Sequence, residues 1–285
     1  MTAQNYAMPV AKLLTLGDLR GEDKWRDYLN LGFKIEHVPE LIRMTRDTEL
    51  WFADSESKEV WANLHAWRTL GQLRAQEAIV PLLDLFQRID DDGDDWVGEE
   101  LPEVYALIGP AAIPALANYL GDPAHGLWAR IGASTSIEKI GQQHPGARAD
   151  CAATLARALE NFDKQESELN ASLISDLCDL GPTDYLPLIE RAFASKRVDE
   201  SMSGDWQDIQ IELGLLKART SPRARTQLDD TMDDIRSMIA QIAVRRIPPP
   251  PEEPTLTENV IAEMLYKGEL KLPNKKESKP KKKRK

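Results

Sequence analysis

The densest group of side chains capable of chemistry is the acidic run IDDDGDDWVGEELPE at 89–103. Carboxylates at alternate positions around a glycine are the chemistry of a calcium-binding EF-hand loop, with glycine sixth and a glutamate twelfth. With Gly93 at the sixth position, Glu99 falls twelfth but Arg88 falls first, where a cation repels Ca²⁺. Asp90, Asp92 and Asp94 then offer at most a weak divalent site, and no metal centre is expected. Two other uses of the run remain. One is a solvated connection whose acids favour the positive N-terminus of the next helix. The other is a docking patch for a protein partner, made of Asp91, Asp92, Asp94, Asp95, Glu99 and Glu100 around Trp96 as an apolar anchor.

The remaining reactive residues are scattered. His37, His65, His125 and His144 show no HExxH spacing. His65 lies on one helix with Trp61 and Trp67 but has no carboxylate or nucleophile near it in sequence, so a half-buried packing role is expected. Cys151 and Cys178 sit on apolar helical stretches outside any CxxC pattern and read as small buried hydrophobes in a reducing compartment. There is no nucleophile–base pair, glycine-rich phosphate loop or Cys/His cluster, so no catalytic residue and no cofactor is assigned.

Charge divides the chain. The net charge is −11, yet residues 267–285 hold ten Lys/Arg against two acids, leaving 26 basic and 45 acidic side chains elsewhere, a net of −19. Such a body repels phosphate, so nucleic acid or an acidic surface would be met only through the tail residues Lys281, Lys282, Lys283, Arg284 and Lys285. The start of the chain lacks a basic region, and Lys12 interrupts its apolar run, unlike a signal peptide. The eighteen uncharged residues Val104–Gly121 contain Gly109, Pro110, Pro114 and Asn118 and split into two buried helices rather than one membrane span. A soluble, cytoplasmic protein is expected.

What must position these residues is a repeat. The segments LGFKIEHVPELI (31–42), LGQLRAQEAIVPLL (70–83), IGPAAIPAL (108–116) and LGPTDYLPLI (180–189) each place a glycine before a branched or aliphatic residue and Pro that open a second apolar run. A fifth copy at 140–155 keeps the glycine and loses the Pro. The glycines fall at 32, 71, 109, 141 and 181, steps of 39, 38, 32 and 40 that suit a two-helix unit. Glycine beyond a helix accepts the left-handed conformation that ends it, and proline fits the first turn of the next. Ile131, Ile137 and Ile140 before Gly141, and Leu155 and Leu159 after it, follow helical spacing. Trp96 and Trp128 each lie thirteen residues before a repeat glycine, which points to inter-repeat packing. No segment alternates with period two, so no sheet is expected.

The run AIPALANYLGDPAHGLWARIGASTSIEKIG (112–141) resembles HEAT repeats of the phycobilisome-lyase type, through Leu120, Asp122, Pro123, Arg130, Ala133, Ile140 and Gly141. The resemblance extends over roughly 25–195, although the other units lack the paired Asp-Pro turn and Arg. It implies a right-handed α-solenoid of about five helix pairs with capping helices at both ends. It also implies two functions: a partner-binding scaffold, or a lyase in which Trp128 and Arg130 grip a linear tetrapyrrole.

The organisation expected is an N-terminal cap (1–24), the repeats (25–195), capping helices (196–247), a proline-rich spacer (248–254), a short amphipathic helix (255–270) and a basic tail (271–285). The first cap is a helix over 9–16 bounded by Pro9 and Gly17. The last is a helix opening at Ser221-Pro222 with Leu228, Met232, Ile235, Ile239 and Ile242 as its stripe. On the second helix of each pair, positions after the proline place Arg43, Asp84, Asn118, Glu190 and Arg191 on the exposed face. With no catalytic set in view, a non-catalytic protein-binding scaffold is the function expected.

Overall fold

The computed structural model describes residues 6–21, 24–181, 183–223, 231–239 and 267. The chain divides into two units, Met1–Ala224 and Arg225–Lys285. All regular structure among the described residues is helical, so the protein is all-α as expected. The first unit opens with a 3₁₀ helix, Val10–Thr15, entered at Pro9 and followed by Gly17 at φ +76°. The α-helices follow as α1 Val38–Thr45, α2 Thr48–Trp51, α3 Ala62–Gln72, α4 Ile79–Leu83, α5 Gln87–Asp92, α6 Asp95–Ile108, α7 Ile113–Gly121, α8 Leu127–Gln143, α9 Arg148–Leu159, α10 Ser167–Asp179, α11 Leu186–Ala194, α12 Glu200–Ser203 and α13 Trp206–Glu212.

Local chemistry accounts for the boundaries. Pro39, Pro114 and Pro187 sit in the first turns of α1, α7 and α11, where a missing N–H removes no helical bond. Asp47, Asp94 and Asp205 accept backbone N–H groups at the starts of α2, α6 and α13. Pro145, in the copy that lacks the repeat proline, opens the 3₁₀ turn leading into α9. Gly32, Gly109 and Gly181 have φ of +95°, +96° and +72° and end their helical segments as expected.

Two repeat glycines do something else. Gly71 and Gly141 lie inside α3 and α8 rather than beyond them. A Cβ on Gly71 would stand 3.3 Å from the Cα of Val104 on α6, and one on Gly141 would stand 2.8 Å from Leu180. Their hydrogen side chain permits close helix approach; the chain turns afterwards, at Arg74 with φ 52° and at His144.

α3 packs on α6, α6 on α8 and α8 on α10, while α1 packs on α4, α4 on α7 and α7 on α9. Cross-contacts of α1 with α3, α7 with α8, and α9 with both α8 and α10 join the two series. Ile137, Ile140, Leu155 and Leu159 are fully buried, in one apolar cluster running from Tyr6 to Ile209. Each such side chain contributes roughly 1.5–3 kcal/mol on leaving water. Every residue of α3 from Ala62 to Gly71 is buried, so a further layer must cover this first helix on its remaining side.

No single described helix is long and apolar enough to cross a membrane; the Val104–Gly121 stretch breaks at Gly109, and α6 meets the following helix at 111°. The helix expected to open at Ser221-Pro222 does not start there, because residues 221–223 are non-helical. Ser221 instead accepts a bond from Gln207 (2.6 Å), and Arg219 pairs with Asp205 and Asp208, folding this segment against α13. In the second unit residues 231–239 are helical, with Met232, Ile235 and Ile239 exposed. Leu228, Ile242, the 248–254 spacer and the tail from 271 lie outside the described residues, as does the 255–270 helix apart from Lys267.

Candidate functional site

The layer over α3 is the chain's own N-terminal segment, held by side chains at 61, 65, 68 and 72. His65, fully buried, donates from Nε2 to the carbonyl of Gly17 (2.8 Å), so its Nδ1 accepts from the Tyr28 hydroxyl (2.7 Å). Gln72 grips the backbone twice: its Oε1 accepts the N–H of Tyr28 (2.9 Å) and its Nε2 donates to the carbonyl of Arg26 (2.7 Å). The Arg68 guanidinium stacks on Trp25 at 4.9 Å, and Arg20 lies over Trp61 at 5.2 Å. At the near end Tyr6 donates to Asp47 (2.6 Å). α3 thus holds the chain's own N-terminal segment as a strap, with one amide bonding main chain and a cation and rings contacting side chains.

Behind the strap, Glu100 of α6 accepts from Trp67 Nε1 (2.7 Å) and Arg68 Nε (2.9 Å), with a second short bond from the Arg68 guanidinium. Both charges are almost fully buried, and the bidentate fork satisfies the carboxylate. The sequence placed Glu100 on an exposed patch and left His65 half-buried; both are corrected, because one face of α6 packs on α3 and the strap seals the other side of α3.

Aligning Gly71 with Gly141 carries position 61, just before α3, and positions 65, 68 and 72 on it onto Ile131, Thr135, Glu138 and Gln142 of α8. Among the described residues no segment covers this second stripe in the same way: Ile131 and Thr135 are partly exposed and Gln142 is exposed. Glu138 is only 2% exposed, and its Oε1 has no hydrogen-bond partner among the described residues. Asp176 of α10 is buried nearby and accepts a short bond from Ser134. Burial raises the Asp176 carboxyl to about 8, with Glu138 adding to it against the Ser134 bond. Burial also raises Glu138 to about 7, with Lys139 and a hydrogen bond from Gln142 opposing and Asp179 and Glu103 adding. Where the first helix interface holds an Arg–Glu pair, the third holds two carboxyls. Sequence reasoning missed the pair; the signal available was an acid at the Arg68 register position.

The acidic run is mostly consumed by structure. Asp90 reaches from α5 to accept the N–H groups of Trp128 (3.1 Å) and Ala129 (2.8 Å), capping α8 across a gap of 38 residues. Glycine at 126 makes room for this cap, since a Cβ there would fall 2.3 Å from the Asp90 carboxyl and displace it. Asp94 caps α6 and pairs with Arg88, which also pairs with Asp92 and stacks on Trp51. Gln87 donates to Asp91. Trp96 packs edge-on against Trp61 and is partly buried, so inter-repeat packing holds for it. It does not hold for Trp128, which is 46% exposed. Asp91, Asp92, Asp95 and Glu99 remain exposed. Among the described residues no group of three or more His, Cys, Asp or Glu is arranged to hold a metal ion.

The residues placed on the second helices are exposed, as expected for that face: Arg43, Asp84, Asn118, Glu190 and Arg191. They do not converge on one ligand. Arg43 pairs with Glu40 and covers Tyr6, Asp84 pairs with Arg46, and Arg191 lies over Phe162. Arg130, the expected pigment-gripping cation, is buried, donating to the Leu120 carbonyl (2.9 Å) and Glu166 (3.2 Å). Cys151 and Cys178 are buried free thiols, pushed up by burial to about 11 and about 12. Lys281, Lys282, Lys283, Arg284 and Lys285 lie outside the described residues.

Residues 32–239 match the model of a family described as protein of unknown function (DUF1186), well over half of the chain, and the chain belongs to that family. Neither the curated proteins nor the solved structures contain a match.

Proposed function

We propose that this member of the DUF1186 family is a non-catalytic protein-binding scaffold or assembly factor. The architecture we assign is a right-handed α-solenoid of about five HEAT-like helix pairs, of the phycobilisome-lyase type, with capping helices at both ends. Support for the architecture comes from the two series of successive contacts, α3–α6–α8–α10 and α1–α4–α7–α9. The function rests on one observation: α3 holds a separate stretch of the chain by its backbone through Gln72 and His65 and by a side chain through Arg68 on Trp25. The equivalent face of a later helix in the row, altered in its side chains, would offer a grip to another chain. A cytoplasmic setting belongs with this reading, supported by two free buried thiols.

The test is a footprint. Partners captured on the full chain are identified, and hydrogen exchange is measured on each reconstituted complex. Protection concentrated on residues of α6, α8 and α10, or on the exposed side of α1, α4, α7 and α9, is the expected result. Protection restricted to residues 225–285 would move the function out of the helical row and overturn the proposal.

A further inference from the structure

Resting on the scaffold reading, we propose that the α8 stripe of Ile131, Thr135, Glu138 and Gln142 docks an extended basic segment of a partner protein. In that complex Gln142 bonds the partner's backbone and Glu138 receives an arginine or lysine head group.

Three observations carry it. The first is register: relative to Gly71 and Gly141, these four residues stand where Trp61, just before α3, and His65, Arg68 and Gln72 on it stand, the positions that hold the strap. Gln142 repeats Gln72, the residue that reads main chain in both directions through one amide. On α3 that amide is occupied by the strap; on α8 the Gln142 side chain is exposed to solvent and bonds only Glu138 of its own helix among the described residues.

The second is the sign of the charge. Arg68 becomes Glu138, and the groups around it are Glu103 on α6, Lys139 on α8, Cys151 on α9, and Asp176 and Asp179 on α10. Lys139, the cation among them, is already paired with Glu103 at 3.3 Å. An incoming cation would find several carboxyls and one engaged ammonium. The rest of the body is acidic, so a basic segment is also drawn toward it at long range.

The third is the unpartnered oxygen. Glu138 is 2% exposed, and its Oε1 makes no hydrogen bond among the described residues. A buried acceptor left this way costs stability, and a charged donor restores more than a neutral one. The exposed Gln142, one turn along α8, bonds the same carboxyl; in the proposed complex its amide turns to the partner's backbone and the cation takes its place at Glu138. The occupant indicated is a guanidinium or ammonium on an extended chain. Burial raises the Glu138 carboxyl to about 7, so the empty face holds a proton near neutrality; an arriving cation favours the ionised form and expels it. Binding therefore strengthens as pH rises through neutrality.

The experiment uses the full chain and a fluorescent Gly/Ser peptide carrying two arginines, with a glutamate-substituted peptide as counter-probe, followed by anisotropy at physiological salt. Arginine peptide binds and glutamate peptide does not. Glu138→Gln and Gln142→Ala each weaken binding by about tenfold or more, while Glu99→Gln, on the exposed acidic run, leaves it unchanged. Circular dichroism of both stripe variants confirms an intact fold, and Glu138→Gln is isosteric with the protonated acid. No binding, equal binding by Glu138→Gln, or an equal loss in Glu99→Gln each overturns the proposal. If captured partners protect other helices of the row while Glu138→Gln binds them normally, the docking stripe is wrong and the scaffold reading stands.

Discussion

Titrating the carboxyl pair between α8 and α10 gives a quantitative check on how this interface is built. The unfolded values lie near 4, whereas burial raises the folded Glu138 to about 7 and Asp176 to about 8. Between those limits the folded chain binds protons that the unfolded chain has released. Stability is therefore highest at acidic pH above the general acid-denaturation range, and falls as pH rises from about 5 to about 8. Each retained proton sets a slope of about 1.4 kcal/mol per pH unit. Up to two protons act below pH 7 and one between 7 and 8. The assay is urea unfolding followed by circular dichroism in a pH series from 5 to 9. Asp176→Asn keeps an acceptor for Ser134 and removes one proton from the linkage. It should halve the slope below pH 7 and be more stable than the wild type at pH 9. A flat wild-type profile, or a variant less stable at pH 9, would show that both acids ionise freely in the folded state.

Three further substitutions test other parts of the structure. Gly126→Ala drives a Cβ into Asp90 and displaces the cap of α8; a loss of roughly 1–3 kcal/mol is expected in thermal or urea unfolding, and a neutral effect would refute the cross-repeat cap. Glu100→Ala strands the buried Arg68 and should cost about 3–5 kcal/mol, with Glu100→Ala/Arg68→Met recovering much of it in a double-mutant cycle. Gln72→Ala frees two backbone groups of the strap, costing on the order of 1–2 kcal/mol, and should speed hydrogen exchange at Tyr28 without altering exchange in α10. Equal acceleration in both places would mean that the strap has no local stability of its own.

Legibility in the sequence followed the range of the interactions. Pro39, Pro114 and Pro187 act within one turn, and their placement at helix starts was readable. So were the helical stripe of Ile137, Ile140, Leu155 and Leu159 and the left-handed turns at Gly32, Gly109 and Gly181. Gly71 and Gly141 share the spacing but serve a neighbour distant in sequence, and spacing does not separate a glycine that ends a helix from one that admits a neighbour. The same limit governs the acids. Asp90, Asp94 and Glu100 stand within eleven residues and look alike as a charged run, yet one caps a helix 38 residues away, one caps its own helix and one is buried under Arg68. His65 looked partnerless because its partners, Gly17 and Tyr28, are 48 and 37 positions distant.

Register explains why a charge at 68 and a charge at 138 differ in consequence. Both occupy the third position before a close-packing glycine, and both are buried against the next helix in the row. At 68 the next helix supplies an opposite charge and the strap supplies an aromatic face, so the guanidinium is held by Glu100 and Trp25. At 138 the next helix supplies another acid, and among the described residues the outer side of the same helix supplies Gln142 and Thr135. Two burdens follow there, a desolvated carboxyl and an unmet acceptor, and a single cation arriving from outside relieves both. At the first interface the equivalent demand is met from within the chain, by the N-terminal strap. At the α8 position no described segment plays that part, and this difference is what the proposed docking of a partner's cation would complete.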